Sequence, residues 1–464
     1  HFLLKIKLTV YLYDESIRKV LLMTLRLLLI RHGLSSFNME SRIQGRNDLS
    51  ILTSEGAQQA AKAAKAIEDI NIEAVYSSPL QRAASTTEEL IKFRKKKLLP
   101  IFDQNLLEVD LSLWSGLTID EVKSRFSDDY KRWENDPNEL VLKRPNGTIY
   151  NPIKELMQQA DAFIEKLLLA HKPEENKNLL VVAHNAILRC LILRMLGEPK
   201  QGFRRIKLDN ASISIINLLP NDNNSYKLQI ESLNNTTHLQ QPLPVKSNNA
   251  RIFLVRHGET NWNQEGRFQG QIDIPLNEKG KSQAKSTGRF LKGIHFNKAF
   301  SSSLSRPMKT AELILENKNI KIKPEKDLIE IGHGLWEGKL ESEIEDEWND
   351  LLIDWQNSPE KVQMPQGESI EEVWNRSVRC WESICKDLKP DETALVVAHD
   401  AVNKTILCNL LGLKPANIWM IKQGNGGITV IDITSSDNQP DVIRSMNITS
   451  HIGGVIDQTA TGAL

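Results

Sequence analysis

Five chemically distinctive residues recur in the same order in the two halves of the chain. In the second half they are Arg256, His257, Arg306, Glu330 and His399; in the first they are Arg31, His32, Arg82, Glu108 and His184. Two guanidinium groups present planar forks of donors that match the oxygens of a phosphoryl group, and arginine keeps its charge at any working pH. They define a pocket for a dianion. A neutral imidazole in such a pocket can attack phosphorus and hold the group covalently, which splits one hard displacement into two easier ones. His257 fits the nucleophile's place, beside Arg256 and next to Gly258, whose missing side chain lets backbone amides approach a phosphate. His399 then donates to the equatorial oxygens as charge redistributes in the transition state. Glu330 stands near Ile329, Leu335 and Trp336, an apolar setting that favours the protonated carboxyl. Such a group can protonate a leaving alkoxide and afterwards activate water. Metal ligation fits poorly, because neither copy has His-x-His or His-x3-His spacing and the arginines repel a cation. No metal and no cofactor is expected.

A single histidine after a strand is more often structural than catalytic. Here there are two per copy, with SSxLxR and LxExxxxLWxG between them, and the whole order is written twice. The run "LLLIRHGLSSFNMESRIQG" (27–45) pairs with "IFLVRHGETNWNQEGRFQG" (252–270), "VYSSPLQR" with "AFSSSLSR", "LLEVDLSLWSG" with "LIEIGHGLWEG", and "LLVVAHNAI" with "ALVVAHDAV". Trp114 and Trp336 fit either a core or a site.

Each copy needs elements that end at these residues. Apolar runs at Leu25 to Ile30 and Ile252 to Val255 stop at Arg-His-Gly, and helix-rich stretches such as "SEGAQQAAKAAKAIED" follow. Further short apolar runs ("EAVYSS", "NLLVVAH", "KAFSSS", "TALVVAH") alternate with helices. Continuous hydrophobicity in the strands predicts a mostly parallel sheet buried on both faces, with the site beyond its carboxyl edge. The expectation is an α/β fold in two tandem domains, 23–239 and 250–464, joined by an Asn-, Ser- and Pro-rich linker at 240–249. Two domains also suit 464 residues. Residues 1–22 carry Asp14, Glu15, Arg18 and Lys19, which interrupt any signal-peptide core or membrane span. They are expected to be a non-native or disordered extension preceding a start at Met23.

Lys and Arg number 59 and so do Asp and Glu, so no net field draws the chain to nucleic acid or to an anionic membrane. The one dense basic run, Lys92 to Lys97, reads as a solvated helix end and loop. Four cysteines without CxxC spacing argue against zinc or disulfides and suit a reducing compartment, which predicts the cytoplasm. The expected partner is a small phosphorylated metabolite.

With these residues in view, both halves resemble the histidine phosphatase superfamily, also called phosphoglycerate mutase-like, from Leu25 onward. "LVRHGETNWN" and "VVAH" carry the resemblance. It implies a three-layer α/β/α fold, no metal, phosphorylation of His257, and pocket-lining roles for Asn263, Gln269 and Gly270, with Asn38, Gln44 and Gly45 at the matching first-copy positions. The first copy departs from the pattern at Leu34, where the second has Glu259, and at "PNGTIYNP", which replaces the segment holding Gly367, Glu368 and Ser369. Cofactor-dependent mutases of the family carry a long insertion after the acid that keeps water out; here "GLWEGKLESEIEDEWNDLL" runs straight on, as in its phosphatases. The tandem arrangement is similar to that of the plant and cyanobacterial 2-carboxyarabinitol 1-phosphatase-like proteins. The reading is therefore a metal-independent phosphatase of small sugar or carboxylic-acid phosphates, 2-carboxyarabinitol 1-phosphate among them. Two alternatives stay open: a phosphoglycerate mutase, or one active domain beside one that binds a phospho-ligand. The leaving group is expected to be read by loops, Asp128 to Tyr150 and Glu345 to Pro365.

Overall fold

Apolar strands that are buried from end to end need neighbours on both sides and cover on both faces, and both repeats meet that need in the same way. The computed structural model describes residues 24–172, 176–199, 201–221, 225–435 and 439–460; the expected extension at 1–22 lies outside them. The first repeat contributes β1 (Leu25–Arg31), β2 (Ala74–Ser77), β3 (Pro100–Phe102), β4 (Asn178–Ala183), β5 (Ile213–Asn221) and β6 (Ser225–Asn235). The second contributes β7 (Ala250–Arg256), β8 (Lys298–Ser302), β9 (Ile322–Glu325), β10 (Thr393–Ala398), β11 (Ile428–Ile433) and β12 (Val442–Ile448). Their spatial orders are β3-β2-β4-β1-β5-β6 and β9-β8-β10-β7-β11-β12, so one topology is used twice.

The pairs β1/β4, β2/β4 and β2/β3 are parallel, as are β7/β10, β8/β10 and β8/β9. In the second repeat β11 runs antiparallel to both of its neighbours, β7 and β12. Sheet order also places the helices. The crossovers β7 to β8 and β8 to β9 step one way along the sheet, through helices Glu278–Phe290 and Ser305–Ile314, while β9 to β10 steps back through Ile370–Asp387. Right-handed crossovers in opposite directions put their helices on opposite faces, which gives the three-layer sandwich. Phe253, Val255, Phe296, Leu395, Val397 and Val430 fill the second core.

The chain forms two compact units. One holds Asn138–Leu196, Ser214–Ile230 and the described residues up to Lys131; the other holds Arg132–Pro137, Gly197–Ile213 and Glu231 onward. All five chemical residues of each repeat lie within a single unit. Trp114 and Trp336 are fully buried core residues, and Lys92 to Lys97 follow the end of helix Gln81–Ile91 on the surface. Among the described residues no helix is long and apolar enough to cross a membrane.

One expectation needs correcting. Glu345 to Pro365 is largely helix, Glu341–Asn357, which buries Ile344, Leu352 and Trp355. Trp348 sits in it with a non-helical backbone (φ −137°, ψ 40°), so the helical spacing of apolar residues breaks in the middle and the pattern reads as irregular. In the first repeat, Asp128 to Tyr150 likewise contains helical residues and a short hairpin, Leu142–Lys143 with Ile149–Tyr150.

The turn after each Arg-His-Gly strand depends on paired glycines. Asn277 caps helix Glu278–Phe290 through the amide of Gly280 (2.8 Å), and Thr53 caps Ser54–Ala66 through that of Gly56 (2.9 Å). A Cβ on Gly280 would meet the carbonyl oxygen of Glu259 at 2.1 Å, and one on Gly56 that of Leu34 at 2.1 Å. Backbone lies on both sides of the contact, so neither can yield cheaply. Gly280→Ala and Gly56→Ala are each expected to destabilise the protein by about 1–3 kcal/mol, read as a lower urea midpoint; an unchanged midpoint would show that the turn has room.

Candidate active site

Register decides which side chains meet. Arg256 is paired with Ala398 across β7/β10, so the next residue on each strand, His257 and His399, leaves the sheet at the same level. Their ring centroids are 5.1 Å apart. In the first repeat Arg31 is paired with Ala183, and His32 and His184 stand 5.2 Å apart. Each pair is buried, and each is built by two adjacent parallel strands ending together.

His257 is fixed by its backbone amide to the carbonyl of Ala398 (3.0 Å) and by Nδ1 to the carbonyl of Gly258 (2.7 Å). That bond requires the proton on Nδ1 and leaves Nε2 as the bare nitrogen. Nε2 faces Nε of Arg306 at 3.4 Å. Burial, followed by the charges of Arg306 and Arg256, holds the imidazole well below its ordinary range, so it is neutral at neutral pH. His32 has the same partner, Gly33 (2.7 Å), and is lowered by burial, Arg31 and Arg82.

Arg306 projects from the first turn of helix Ser305–Ile314 and is wholly buried. Its Nη2 bonds the carbonyl of Gly270 (2.7 Å) and Nη1 that of Ile272 (3.3 Å). Arg82 copies this with Gly45 (2.9 Å) and Asn47 (3.0 Å), and its Nε has no partner among the described residues. Arg256 bonds the carbonyl of Gln423 through Nη1 (2.6 Å), again leaving Nε without one. Guanidinium groups anchored on carbonyls, with donors left over, are equipped to take an anion.

The acid arrives from the loop after β9. Glu330 accepts from the amide of Ile331 (3.0 Å) and, through Oε2, from those of Asp400 (3.0 Å) and Ala401 (3.4 Å), at the start of helix Asp400–Leu411. Burial, with the charge of Asp400 next, pushes its carboxyl above the usual range. Glu108 is held by the amides of Val109 (2.9 Å), Ala186 (3.1 Å) and Ile187 (3.3 Å). All five residues expected in each repeat are therefore brought together.

The lining residues also converge. Gln269 accepts from the hydroxyl of Thr260 (2.6 Å) while its buried Nε2 has no partner among the described residues; Asn263 accepts from the Thr260 amide (3.2 Å) and Asn425 (3.3 Å). In the first repeat Ser35 bonds both Asn38 (2.9 Å) and Gln44 (3.0 Å). Two groups escaped the sequence reading. Ser302 and Ser78 bond Nε2 of His399 and His184, each at 2.7 Å, and Thr310 and Thr86 receive the amides of Gly258 and Gly33, each at 3.1 Å. The serines sit inside SSxLxR, and the threonines stand four residues after its arginine on the same helix face.

The first-copy departures fall outside the centre. Glu259 turns away to Lys279 (2.8 Å) and Asn277 (3.1 Å), so Leu34 removes an ion pair and leaves the cluster of histidines and arginines intact. Glu368 binds Arg376 (2.8 Å), Gln271 (3.0 Å) and the amide of Gly332 (2.8 Å), and Arg376 in turn holds the carbonyls of Ile329 (2.6 Å) and Glu330 (3.0 Å). The first repeat reverses the arrangement. Arg46, from the loop, holds the carbonyl of Glu108 (3.1 Å) and bonds Gln159, which holds that of Leu107 (3.3 Å).

Comparison with known proteins agrees with this geometry. The family described as "Histidine phosphatase superfamily (branch 1)" matches residues 27–234 and again 252–447. The chain is 28% identical to a probable 2-carboxy-D-arabinitol-1-phosphatase of Arabidopsis thaliana, over 93% of this chain and 88% of that one. It is 27% identical to a 2-carboxy-D-arabinitol-1-phosphatase of Triticum aestivum, over 92% and 86%. It is also 36% identical to phosphoserine phosphatase 1 of Hydrogenobacter thermophilus, over 44% of this chain and 94% of the relative. With the family matched twice along the chain, and each match bringing its own buried pair of histidines, the protein belongs to the histidine phosphatase superfamily and is a phosphoric monoester hydrolase.

Proposed function

We propose that the two domains, 23–239 and 250–464, hydrolyse small sugar or carboxylic-acid phosphate monoesters without a metal, through phosphohistidines on His257 and His32. The observation that carries the reading is the committed Nδ1 of each histidine, which leaves a neutral Nε2 beside a buried arginine. Nε2 of His257 attacks phosphorus, the P–O ester bond breaks, and Glu330 gives its proton to the leaving alkoxide. The ionised Glu330 then takes a proton from water as its oxygen attacks phosphorus; the P–N bond breaks and free phosphate leaves with the imidazole neutral again. Arg256, Arg306 and His399 hold the equatorial oxygens throughout, and Gln269, Asn263 and Gly270 line the pocket. In the first domain Arg31, Arg82, Glu108 and His184 take these parts, lined by Asn38, Gln44 and Gly45. The names of the plant relatives support 2-carboxyarabinitol 1-phosphate as a substrate, and the bacterial relative supports testing phosphoserine.

Phosphate release from a panel of such esters, measured in EDTA, tests both domains. His257→Ala and His32→Ala are each expected to abolish one part of the substrate profile, and the double variant to fall by at least about a thousandfold. Undiminished activity in the double variant excludes the phosphohistidine. The pH dependence is equally specific. Because burial and two arginines depress the proton affinity of His257, its protonation inhibits only well below pH 6.5. The rate of phosphoenzyme formation should therefore show no rise centred near pH 6.5, and such a rise in rapid-quench measurements would mean the nucleophile titrates normally.

A further inference from the structure

Asp400 follows His399 directly and is buried, yet only one of its carboxylate oxygens is engaged. Oδ2 pairs with Nζ of Lys404, 3.1 Å away and one helical turn on, while Oδ1 has no hydrogen-bond partner among the described residues. Lys404 is itself buried, its Nζ 4.8 Å from the centre of the Trp419 ring. Buried ion pairs rarely repay the desolvation of both partners, so stability alone gives little reason for this one. Its location gives another. The amides of Asp400 and Ala401 hold Oε2 of Glu330, so two carboxyl groups share the first turn of one helix.

The other charged groups around Glu330 are Arg256 and Arg306 in the phosphate pocket and Arg376, which bonds its carbonyl oxygen and is neutralised by Glu368; His257 and His399 are neutral. The arginines and the amides favour an ionised Glu330. Asp400 opposes them, because a second buried carboxylate on the same helix turn raises the cost of ionising the first. The first repeat has Asn185 in the place of Asp400 and Arg189 in that of Lys404, so the carboxylate is missing there.

We propose that Asp400, held by Lys404, is a positioning residue that keeps the carboxyl of Glu330 protonated and ready to donate, and that the first domain works without this device. The inference rests on the proposed role of Glu330 as proton donor. It makes the second domain the better one for poor leaving groups, whose alkoxides need a proton as the P–O bond breaks. A good leaving group has no such need.

The test uses the full chain with the first domain silenced by His32→Ala. Rates of phosphoenzyme formation are measured from pH 5 to 9 with an alkyl ester, 3-phosphoglycerate, and an aryl ester, p-nitrophenyl phosphate. Asp400→Asn should slow the alkyl reaction about tenfold at pH 7 and move its descending limb about one unit to lower pH, with the aryl rate within about twofold and KM unchanged. Asp400→Glu should restore the limb, and Asn185→Asp in the His257→Ala protein should raise that of the first domain. Equal losses on both esters, or an unmoved limb, overturns the proposal. Glu330→Gln separates the two readings. If it alone loses the alkyl reaction selectively, the donor stands and the role of Asp400 falls; if it shows no selectivity, both fall.

Discussion

Buried positive charge without an equal negative charge is the condition to which each site answers. Arg256 and Arg306 are almost completely removed from water, and of the carboxyls that act on Arg306, namely Glu330, Asp273 and Glu337, Glu330 alone is buried; burial lowers the proton affinity of Arg306 to about 10. A guanidinium keeps its charge at neutral pH, and the carbonyls of Gly270, Ile272 and Gln423 offset only part of the lost hydration. Burial, with the same charge added to it, keeps both imidazoles neutral, so on the proposed mechanism the setting that attracts a dianion also prepares the nitrogen that attacks it. One electrostatic arrangement thus serves binding and activation, and the strands, turns and helix starts serve to hold it in place.

Duplication shows which parts of that arrangement are fixed. The two histidine pairs agree in spacing, in their serine and glycine partners and in the carbonyls that anchor the helix arginine. A few ångströms outward the likeness ends. The backbone of the acid-bearing loop is held by Arg376 from a helix in one domain and by Arg46 from a loop in the other, each with a glutamine on the opposite side. A guanidinium reaching a carbonyl satisfies the same need from either direction, so the rim has been rewired while the centre kept its geometry.

Much of this was legible because it follows from neighbours in sequence or from a strict period. An apolar run ending in Arg-His-Gly predicts a buried strand with its chemistry at the carboxyl edge, and the alternation of such runs with helices predicts parallel pairing. The repeat identified the five residues of each site without any distance being known. Other features depended on partners far along the chain. Glu259 is where the two copies differ beside the histidine, and its side chain faces Lys279; nothing in "RHGET" tells which way a buried carboxylate turns. Helix Glu341–Asn357 was hidden by its own interruption at Trp348. The meaning of Asp400 is visible only once Glu330, seventy residues earlier, is seen against the same helix start.

Register and glycine explain why the centre resists change while its surroundings do not. The pairing of Arg256 with Ala398 sets the height of both histidines through backbone bonds alone, and a slip of one residue would turn every side chain of that strand to the other face. The turn that follows is packed backbone to backbone at Gly258 and Gly280, leaving no room for a side chain. Side chains at the helix start are under no such constraint. The acid accepts from the amides of Asp400 and Ala401 in one repeat and of Ala186 and Ile187 in the other, so it is held by the same helix start whether that helix opens with aspartate or asparagine, while the charge beside it differs. A tandem chain can therefore carry two sites with one geometry and two electrostatic settings, and the difference between them is concentrated beside the buried acid, the group that releases a proton in the proposed mechanism.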